Sequence, residues 1–593
     1  MDGFKAIWLL YWSRLGKKMD RADGFAARPS KVRPAASIAA GIPFGPSVSI
    51  PLTIHTHTVT NQVPPLLDYD AFATDRALTE AVTREGAAWA RAALADYGCR
   101  VGGELLALGF EANRHRPVLR THDRCGHRID EVDFHPSYHA LLRAAVSAGV
   151  HSFAWRDPKP GAHVARAALS YLHHQAEAGT SCPLTMTYAA IPVLGRSQRV
   201  REQWMAKAIS AEYDGRHVPA AQKGGVTLGM GMTEKQGGSD VRANSTLAHA
   251  LGGDEYALVG HKWFFSAPMS DAFLVLAQAQ EGLSCFLLPR WRPDGTPNAM
   301  QLMRLKDKLG NWSNASGEVE FNGAWAQRIG DEGRGVATIL EMVALTRLDC
   351  MLGSAAEMRR ALVEAIHHAR HRRAFGKLLV DQPLMRNVLA DLALESEAAT
   401  VFAMRVARAV DASPRDPREA AFARIATAVG KYWICKRAPA FVNEAQECLG
   451  GAGYVEESIL PRLYREAPLN SIWEGCGNIQ CLDVLRALAR EPESRDAVLA
   501  ELAASAHLDS ALAREVETLK GTLSDMKDIE AGARFVVERL ALVLQAAVLL
   551  RAGNDALAHS FCRSRLDGRH GLAFGTLSTD MPFAAMIERA WPA

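Results

Sequence analysis

The spacing of apolar residues changes twice along this chain of 593 residues, and no other feature constrains the fold as strongly. Between Val226 and Ile329, short β-rich runs are separated by Gly, Asp, Asn and Pro. This pattern is typical of a compact antiparallel sheet or barrel. Helical periodicity precedes the segment and returns after it. Because no helices alternate with the strands, a parallel nucleotide-binding sheet is disfavoured.

The sequence therefore predicts a mainly α protein with a β-barrel in its middle. Amphipathic helices joined by short loops favour an antiparallel bundle, and they are predicted at 335–371, 383–410, 418–449 and 479–490. The predicted domains are a disordered extension (1–53), an N-terminal helical domain (54–225), the β-barrel (226–334), the helical bundle (335–490) and a C-terminal helical domain (491–593). For residues 1–53, sequence translated from an early start codon and a targeting role are the alternatives.

Composition narrows the classes of partner. A net charge of +3, from 68 basic and 65 acidic residues, does not by itself indicate nucleic acid. Ten cysteines without a CxxC pair indicate reduced thiols in a cytoplasmic protein. The apolar stretch at 540–550 is shorter than the roughly 18 to 20 residues of a membrane span. It is therefore interpreted as a buried helix, and no membrane partner is expected.

A loop rich in glycine and hydroxyl groups follows the first β-rich run, at 229–241. Gly237 and Gly238 adjoin Thr233, Ser239 and Asp240 there. Because glycine lets backbone N–H groups approach a ligand closely, such a loop suits a pyrophosphate or the polar edge of a flavin ring. A plain tight turn is the alternative.

Three consecutive aromatic residues, Trp263, Phe264 and Phe265, precede Ser266. Their rings could line one face of a flat ring system. The alternative is a strand whose aromatic side chains face the core.

A third motif at 472–480 places Glu474 between Trp473 and Gly475. A carboxylate beside an indole, in a site closed to water, loses solvation and becomes a stronger base. Gly475 and Gly477 leave backbone clearance for a planar cofactor. The alternative is an ordinary helix N-terminus, where an early Glu favours the helix dipole.

Two further motifs lie in the predicted bundle. At 371–377, followed by Gln382, Arg372 offers a forked donor for phosphate oxygens, or else a solvated basic turn. At 449–454 a Gly-rich segment ends a helix, with a simple C-cap as the alternative. No Walker phosphate loop and no complete set of metal ligands occurs at the usual spacing, so no metal site is predicted.

Together and in this order, these motifs resemble the acyl-CoA dehydrogenase family of flavoproteins. Residues 233–240 resemble its Thr-Glu and Gly-Ser-Asp loop, 372–377 its Arg-x-x-Phe-Gly-Lys segment, 449–454 its Leu-Gly-Gly-x-Gly-Tyr segment, and 473–475 the segment with its catalytic glutamate. The resemblance implies a helical domain, a β-barrel and a helical bundle, FAD between barrel and bundle, and a homotetramer built as a dimer of dimers.

The resemblance also implies dehydrogenation of an acyl-CoA across Cα–Cβ. Glu474 would take the α-proton while the flavin takes hydride from Cβ. Arg372 and Gln382 would approach FAD from a neighbouring subunit. The other implied cofactor-binding residues are Met232, Thr233, Glu234, Lys235, Gln236, Gly237, Gly238, Ser239, Asp240, Val241, Trp263, Phe264, Phe265, Ser266, Ile472, Trp473, Gly475, Cys476, Gly477 and Asn478.

Three positions depart from the family pattern. Lys235 stands where much of the family has Pro, Cys476 where it usually has Thr, and Glu447 where many relatives have Gln. These changes weaken the expectation of acyl-CoA turnover more than that of FAD binding.

Longer phrases at 55–62, 232–240, 305–311 and 463–475 resemble the adaptive-response branch of this family, which also has a C-terminal helical extension. That branch implies weak, isovaleryl-CoA-like dehydrogenase activity, a role in defence against DNA alkylation, and largely sequence-independent binding of double-stranded DNA. Residues 491–593 contain eleven Lys/Arg and fifteen Asp/Glu, so only a local patch could bind phosphates. The implied DNA-binding residues are Arg486, Arg563, Arg565 and Arg569. A metabolic acyl-CoA dehydrogenase without a DNA role is the alternative.

Overall fold

The computed structural model describes residues 57–524 and 529–591, and helices come first in the described part of the chain. The extension predicted for residues 1–53 lies outside these ranges. Asp75 caps the first helix by accepting a hydrogen bond from the backbone N–H of Leu78. The helices before the main sheet are α1 (Arg76–Arg84), α2 (Arg91–Val101), α3 (Glu104–Arg114), α4 (Pro136–Ala148), α5 (Phe153–Arg156), α6 (Ala162–Ala176), α7 (Ser181–Leu194) and α8 (Gln198–Ala208).

A β-hairpin interrupts this helical region, which the sequence pattern alone did not predict. Strands β1 (Val118–His122) and β2 (Arg128–Asp133) pair in antiparallel register. The carboxylate of Asp123 accepts hydrogen bonds from two backbone N–H groups of the connecting turn. Local turn chemistry thus outweighs the helical character of the flanking sequence.

Helix α1 buries Leu78, Ala81 and Val82. Trp89, beyond the end of α1 at Arg84, is 41% exposed.

A seven-stranded sheet forms the middle of the chain. Its strands are β3 (Leu228–Gly231), β4 (Leu247–Gly252), β5 (Glu255–Ser266), β6 (Ala272–Ala279), β7 (Gly282–Pro289), β8 (Met300–Leu305) and β9 (Ser316–Ile329). The strand order is β3-β6-β4-β5-β9-β7, with β8 paired to β9 and a further pairing of β6 with β7. All the strands predicted from the sequence lie within this set. The barrel itself stays a prediction.

Five helices follow the main sheet, of which four lie close to the predicted positions and the short helix Leu460–Glu466 was not predicted. They are α9 (Gly335–His371), α10 (Pro383–Ala412), α11 (Pro417–Cys448), α12 (Leu460–Glu466) and α13 (Gly477–Arg490). A two-stranded hairpin of β10 (Arg373–Ala374) and β11 (Lys377–Leu378) joins α9 to α10. Proline at the first turn of α10 and α11 presets the backbone angle that a helix needs.

The C-terminal region adds α14 (Pro492–Ala506), α15 (Ser510–Ser524), α16 (Ala533–Arg551), α17 (Asp555–Phe561) and α18 (Phe583–Ala590). Helix α16 is buried along most of its length, which confirms the interpretation of 540–550 as a buried helix. Arg589 on α18 forms ion pairs with Glu397 on α10 and Glu80 on α1. The C-terminal helices are thereby fastened to both the bundle and the first helix. Within the described ranges, no helix combines the length and apolar character needed to cross a membrane.

Candidate active site

Glu474 lies in the short link between α12 and α13, in a conformation that side chains rarely adopt. Its φ of 60° lies in the left-handed region, and Gly475 follows with a φ of 95°. A Cβ added to Gly475 would lie 2.8 Å from the side-chain nitrogen of Gln480. Glycine is therefore required directly after the carboxylate, for conformation and for space.

Three side chains hold the backbone of this link. The ammonium of Lys431 donates to the carbonyl oxygens of Trp473, at 2.8 Å, and Gly475, at 2.5 Å. Arg347 donates from Nε to the carbonyl of Glu474 at 3.0 Å, and Gln480 donates to the same carbonyl. These bonds satisfy carbonyls that no regular structure pairs, and they oppose relaxation of the left-handed residue.

The carboxylate of Glu474 has one hydrogen-bond donor among the described residues. The hydroxyl of Thr346 on α9 lies 2.8 Å from Oε2. Burial raises the pKa of Glu474, while the Thr346 hydrogen bond and the charges of Arg347 and Lys431 act to lower it. The group is therefore a carboxylate with little hydration and increased basicity.

The loop at 232–241 is built on the buried side chain of Glu234. Its two carboxylate oxygens accept hydrogen bonds from Lys262 at 2.8 Å and from the backbone and hydroxyl groups of Ser245 and Thr246. Burial raises its pKa, but these donors outweigh burial and hold the pKa at about 2. Because Glu234 has no exposed surface, its carboxylate supports the loop from beneath and does not face a ligand.

The outer side of the same loop presents backbone donors. Gly238, Ser239 and Asp240 are exposed, and their N–H groups donate no hydrogen bond to any residue in the described ranges. A Cβ on Gly238 would lie 2.4 Å from the hydroxyl of Thr233, so only glycine fits there. Three consecutive N–H groups without an acceptor in the described ranges, beside the hydroxyl of Thr233, are the kind of donors that an anion site needs, and the site itself stays a prediction.

The remaining loop side chains take different positions. Met232, Thr233 and Val241 are half-buried, while Lys235 and Gln236 are exposed. Gln236 donates to Asn244, which in turn donates to the carbonyl of Met232. Gly237 has a φ of 137° and open space around its Cα.

The aromatic run divides between the surface and the core. Phe264 is 54% exposed, and Trp263 is half-buried with the ammonium of Lys306 located 3.5 Å from its ring centroid. Phe265 has no exposed surface and packs on Phe273 inside the sheet. The side chain of Phe265 therefore belongs to the core, as the alternative interpretation of this motif held, and is not positioned to line a ring.

One apolar cluster is contacted by both the 232–241 loop and the Glu474 link. Met232, Val241 and Trp473 all pack against the same group of buried residues. Cys182 on α7 is one of the buried residues of this cluster. Burial raises the pKa of its thiol to about 12, with the charge of Glu474 raising it and a hydrogen bond to Ser266 lowering it. Ser266 and Glu474 therefore both lie near Cys182.

The residues after Glu474 lie at the N-terminus of α13. Ile472 is 62% exposed, and Cys476 and Asn478 are exposed as well. Gly477 is buried, and a Cβ there would lie 3.3 Å from the ring of Tyr432. The side chain of Asn478 accepts a hydrogen bond from Arg534 of the C-terminal region at 2.8 Å.

Arg372 and Gln382 lie far from Glu474 within one chain. Thr346 contacts Glu474, and Arg372 directly follows the end of α9, 26 residues later. At 1.5 Å per helical residue these positions are about 39 Å apart. At the tip of the adjoining hairpin, Phe375 is 99% exposed. Within one chain, Arg372 and Glu474 therefore do not belong to the same site.

The four predicted DNA-binding arginines do not share one environment. Arg486 and Arg569 are exposed and have no ion-pair partner in the described ranges. Arg563 pairs with Asp580. Arg565 is buried and forms ion pairs with Asp391 and Glu395 on α10, so it is not available to a DNA phosphate. The sequence prediction for Arg565 is corrected on this ground.

Four residues that contact the 473–475 segment were not predicted from the sequence, namely Thr346, Arg347, Lys431 and Gln480. Each lies on a long helix, where one polar residue among apolar neighbours gives no separate signal. Only their approach to the 473–475 backbone shows what they do.

These residues fit a flavin dinucleotide. The free N–H groups of 238–240 suit phosphate or ring oxygens, and an apolar cluster with an adjacent indole suits a planar ring. Trp473, which directly precedes Glu474, packs against the same cluster as Met232 and Val241 of the loop.

Three family models match the chain. The N-terminal domain of the adaptive response protein AidB matches residues 61–215, the acyl-CoA dehydrogenase middle domain matches 229–324, and the acyl-CoA dehydrogenase C-terminal domain matches 333–489.

Individual proteins agree with these matches. The putative acyl-CoA dehydrogenase AidB of Escherichia coli (strain K12) is 49% identical over 87% of this chain and 96% of its own length. Acyl-CoA dehydrogenase family member 11 of Caenorhabditis elegans is 33% identical over 66% of each chain. The crystal structure of Caenorhabditis elegans ACDH-11 in complex with C11-CoA superposes with a TM-score of 0.79 at 28% identity, covering 87% of this chain and 94% of that one.

Proposed function

Because the chain belongs to the AidB-type acyl-CoA dehydrogenases, which are FAD-dependent oxidoreductases, we propose that it oxidises the Cα–Cβ bond of an acyl-CoA with Glu474 as the base. The observation that carries this proposal is the carboxylate of Glu474, whose pKa is raised by burial and whose neighbour Trp473 packs against the same apolar cluster as Met232 and Val241 of the 232–241 loop. When bound, FAD supplies the acceptor for the hydride that leaves Cβ.

The residues around Glu474 divide the work of proton removal. Loss of hydration strengthens the carboxylate as a base. The hydrogen bond from Thr346 and the charges of Arg347 and Lys431 act to lower its pKa and so favour the ionised form that accepts the proton. The clamp on the 473–475 backbone orients the carboxylate.

We propose short branched acyl-CoAs, such as isovaleryl-CoA, as substrates that are turned over weakly. Lys235 and Cys476 support weak turnover, since both are exposed and replace the usual Pro and Thr of the family beside the cofactor. A metabolic acyl-CoA dehydrogenase would turn over such a substrate at ordinary rates.

Anaerobic titration of the purified flavoprotein with isovaleryl-CoA tests the base assignment. We expect slow bleaching of the visible flavin absorbance, and loss of bleaching in Glu474→Gln with the flavin retained. Glu493→Gln, an exposed carboxylate on α14, is the matched control and should bleach like the parent. Bleaching of Glu474→Gln at the parent rate would remove Glu474 from the mechanism.

We also propose that the chain assembles as a homotetramer. The separation of about 39 Å along α9 between Arg372 and Thr346 supports this, because a second copy could bring Arg372 and Gln382 to the cofactor. Phe375 and Leu384, which are 99% and 84% exposed, offer apolar surface beside that hairpin. Light scattering of Phe375→Ser should show smaller assemblies than the parent, whereas an unchanged mass would count against this surface.

Two smaller proposals complete the assignment. The pairing of β6 with both β4 and β7 supports closure of the sheet into the barrel expected from the sequence.

The ten cysteines are all free thiols, which supports a cytoplasmic location.

A second function, binding of double-stranded DNA during the response to alkylation, is proposed on separate grounds. Arg486 and Arg569 are exposed cations without acidic partners in the described ranges, and the AidB family model supports the adaptive-response role. Such contacts reach phosphates and not base edges, so binding would be largely independent of sequence.

Gel shifts with a DNA duplex across a salt series test this second function. Binding should weaken steeply with salt, and Arg486→Ala with Arg569→Ala should flatten the dependence of log K on log salt by about 1 per lost contact. Arg418→Ala, an exposed arginine on α11, should leave it unchanged. No shift at low salt would leave the metabolic dehydrogenase as the function.

A further inference from the structure

A cavity of about 880 Å³ lies between α1 and the C-terminal helices α17 and α18. None of its lining residues belongs to the candidate active site. Its volume is within the range of about 300–1,000 Å³ typical of small-molecule sites. The cavity therefore has the size of a second binding site.

One wall of the cavity is cationic. Arg76, Arg84 and Arg91 lie on α1 and α2, and Arg589 projects from α18. Among them stands Glu80, whose pKa is lowered chiefly by its hydrogen bond to Arg589 and further by the charges of Arg84 and Arg76. The lining thus holds four arginines and two carboxylates, those of Glu80 and Asp555.

The charges of this wall are only partly neutralised. Arg589 is held by Glu80 and Glu397, and Arg84 pairs with Glu85 at 3.0 Å. Arg91 donates to the hydroxyl of Thr83 and has no carboxylate partner in the described ranges. The exposed guanidinium of Arg76 has no hydrogen-bond or ion-pair partner there either. Two cations of the cavity are therefore free to bind an anion.

The lining from the C-terminal region is mainly aliphatic, although Asn554 and Asp555 add polar groups to it. Ala552 and Leu557 contribute from the α16–α17 corner, and Pro582, Ala585 and Met586 from the start of α18. No aromatic ring is among the lining residues, all of which lie in the described ranges. Such a wall suits an alkyl chain and offers no stacking surface for a nucleobase.

We propose that this cavity binds an amphipathic anion that has an alkyl chain and a carboxylate or phosphate head. The head pairs with Arg76 and Arg91, and the chain lies on Leu557, Ala585 and Met586. Both walls meet only because the C-terminal helices pack onto α1, so the site depends on the C-terminal region. It is independent of the proposed dehydrogenase activity.

Calorimetric titration of the full-length flavoprotein with decanoate, decyl phosphate and decanol tests the proposal. We expect both anions to bind and decanol to bind at least tenfold more weakly. The difference between decanoate and decyl phosphate identifies the preferred head. Equal affinity for decanol and the anions would overturn the proposal, because the head would then not be recognised.

Two variants locate the binding. Arg76→Ala with Arg91→Ala should weaken binding of the anions at least tenfold, and Ala585→Trp, at an exposed position of α18, should abolish it by filling the cavity. Arg418→Ala is the control. The flavin spectrum should not change on binding, which separates this cavity from the acyl-CoA site. Parent affinity in both cavity variants, or a flavin shift that tracks binding, would overturn the assignment.

Discussion

The hydroxyl of Thr346 donates to a carboxylate oxygen of Glu474 across 2.8 Å, joining the first turns of α9 to the link before α13. This hydrogen bond favours the ionised carboxylate and so lowers its pKa against the effect of burial. In Thr346→Val the donor is lost, and the pKa of Glu474 rises.

The pH dependence of dehydrogenation measures that rise. Since the base acts only when ionised, the acidic limb of the kcat profile should move to higher pH in Thr346→Val. Thr338→Val is the matched control, because Thr338 on the same helix bonds only to the carbonyl of Arg334. An acidic limb that stays in place, or moves to lower pH, would show that Thr346 does not act on the base.

Lys431 is expected to matter for positioning and not for charge alone. Lys431→Met removes both hydrogen bonds to the carbonyls of Trp473 and Gly475, and the left-handed link can then relax. Because misplacement of a reacting group by 1 Å can cost about 100-fold in rate, we expect a loss of that order in kcat with bound flavin retained. Lys436→Met, exposed on the same helix, should be neutral in stopped-flow assays of flavin reduction.

The buried ion pair of Lys262 and Glu234 should stabilise the 232–241 loop. Lys262→Met leaves Glu234 without its cation, and we expect the free energy of unfolding to fall by about 3–5 kcal/mol. Urea titration measures this change. The double variant Lys262→Met with Glu234→Gln should recover part of the loss, and a single variant as stable as the parent would contradict the role of the pair.

The same carboxylate predicts a pH dependence of stability. The folded-state pKa of Glu234, about 2, lies below its ordinary value of 4.5. Its contribution is therefore complete above pH 4.5 and is lost as the pH falls towards 2. Denaturant titrations over this range should show a smaller loss of stability in Glu234→Gln than in the parent.

Arg565 should stabilise the fold, while its neighbour Arg563 should not. Arg565→Ala leaves Asp391 and Glu395 buried without their shared guanidinium, and we expect a loss of about 3–5 kcal/mol in the free energy of unfolding. Arg563→Ala breaks a surface pair with Asp580 and should cost less than about 1 kcal/mol. Equal effects of the two changes in chemical denaturation would contradict this distinction.

Periodicity was sufficient to predict the strands of the main sheet and the long helices that follow it, but not the β1–β2 hairpin. Periodicity and motif order could not distinguish Arg565 from Arg569, because both belong to one short basic run and the sequence does not show which of them faces α10. Nor could they show which of Phe264 and Phe265 is buried, since successive residues of a strand face opposite sides and the sequence does not show which side meets the core. Thr346 and Lys431 became visible only in three dimensions, because each acts on a segment more than forty residues away in sequence.

The left-handed backbone conformation of Glu474 serves the reaction but lowers the stability of the fold. A residue with a Cβ pays about 1–2 kcal/mol to occupy this region, and glycine does not. Glu474→Gly would thus discard the base and relieve the strain in one step. Any screen that selects for thermal stability alone would therefore favour a more stable variant that no longer removes the proton.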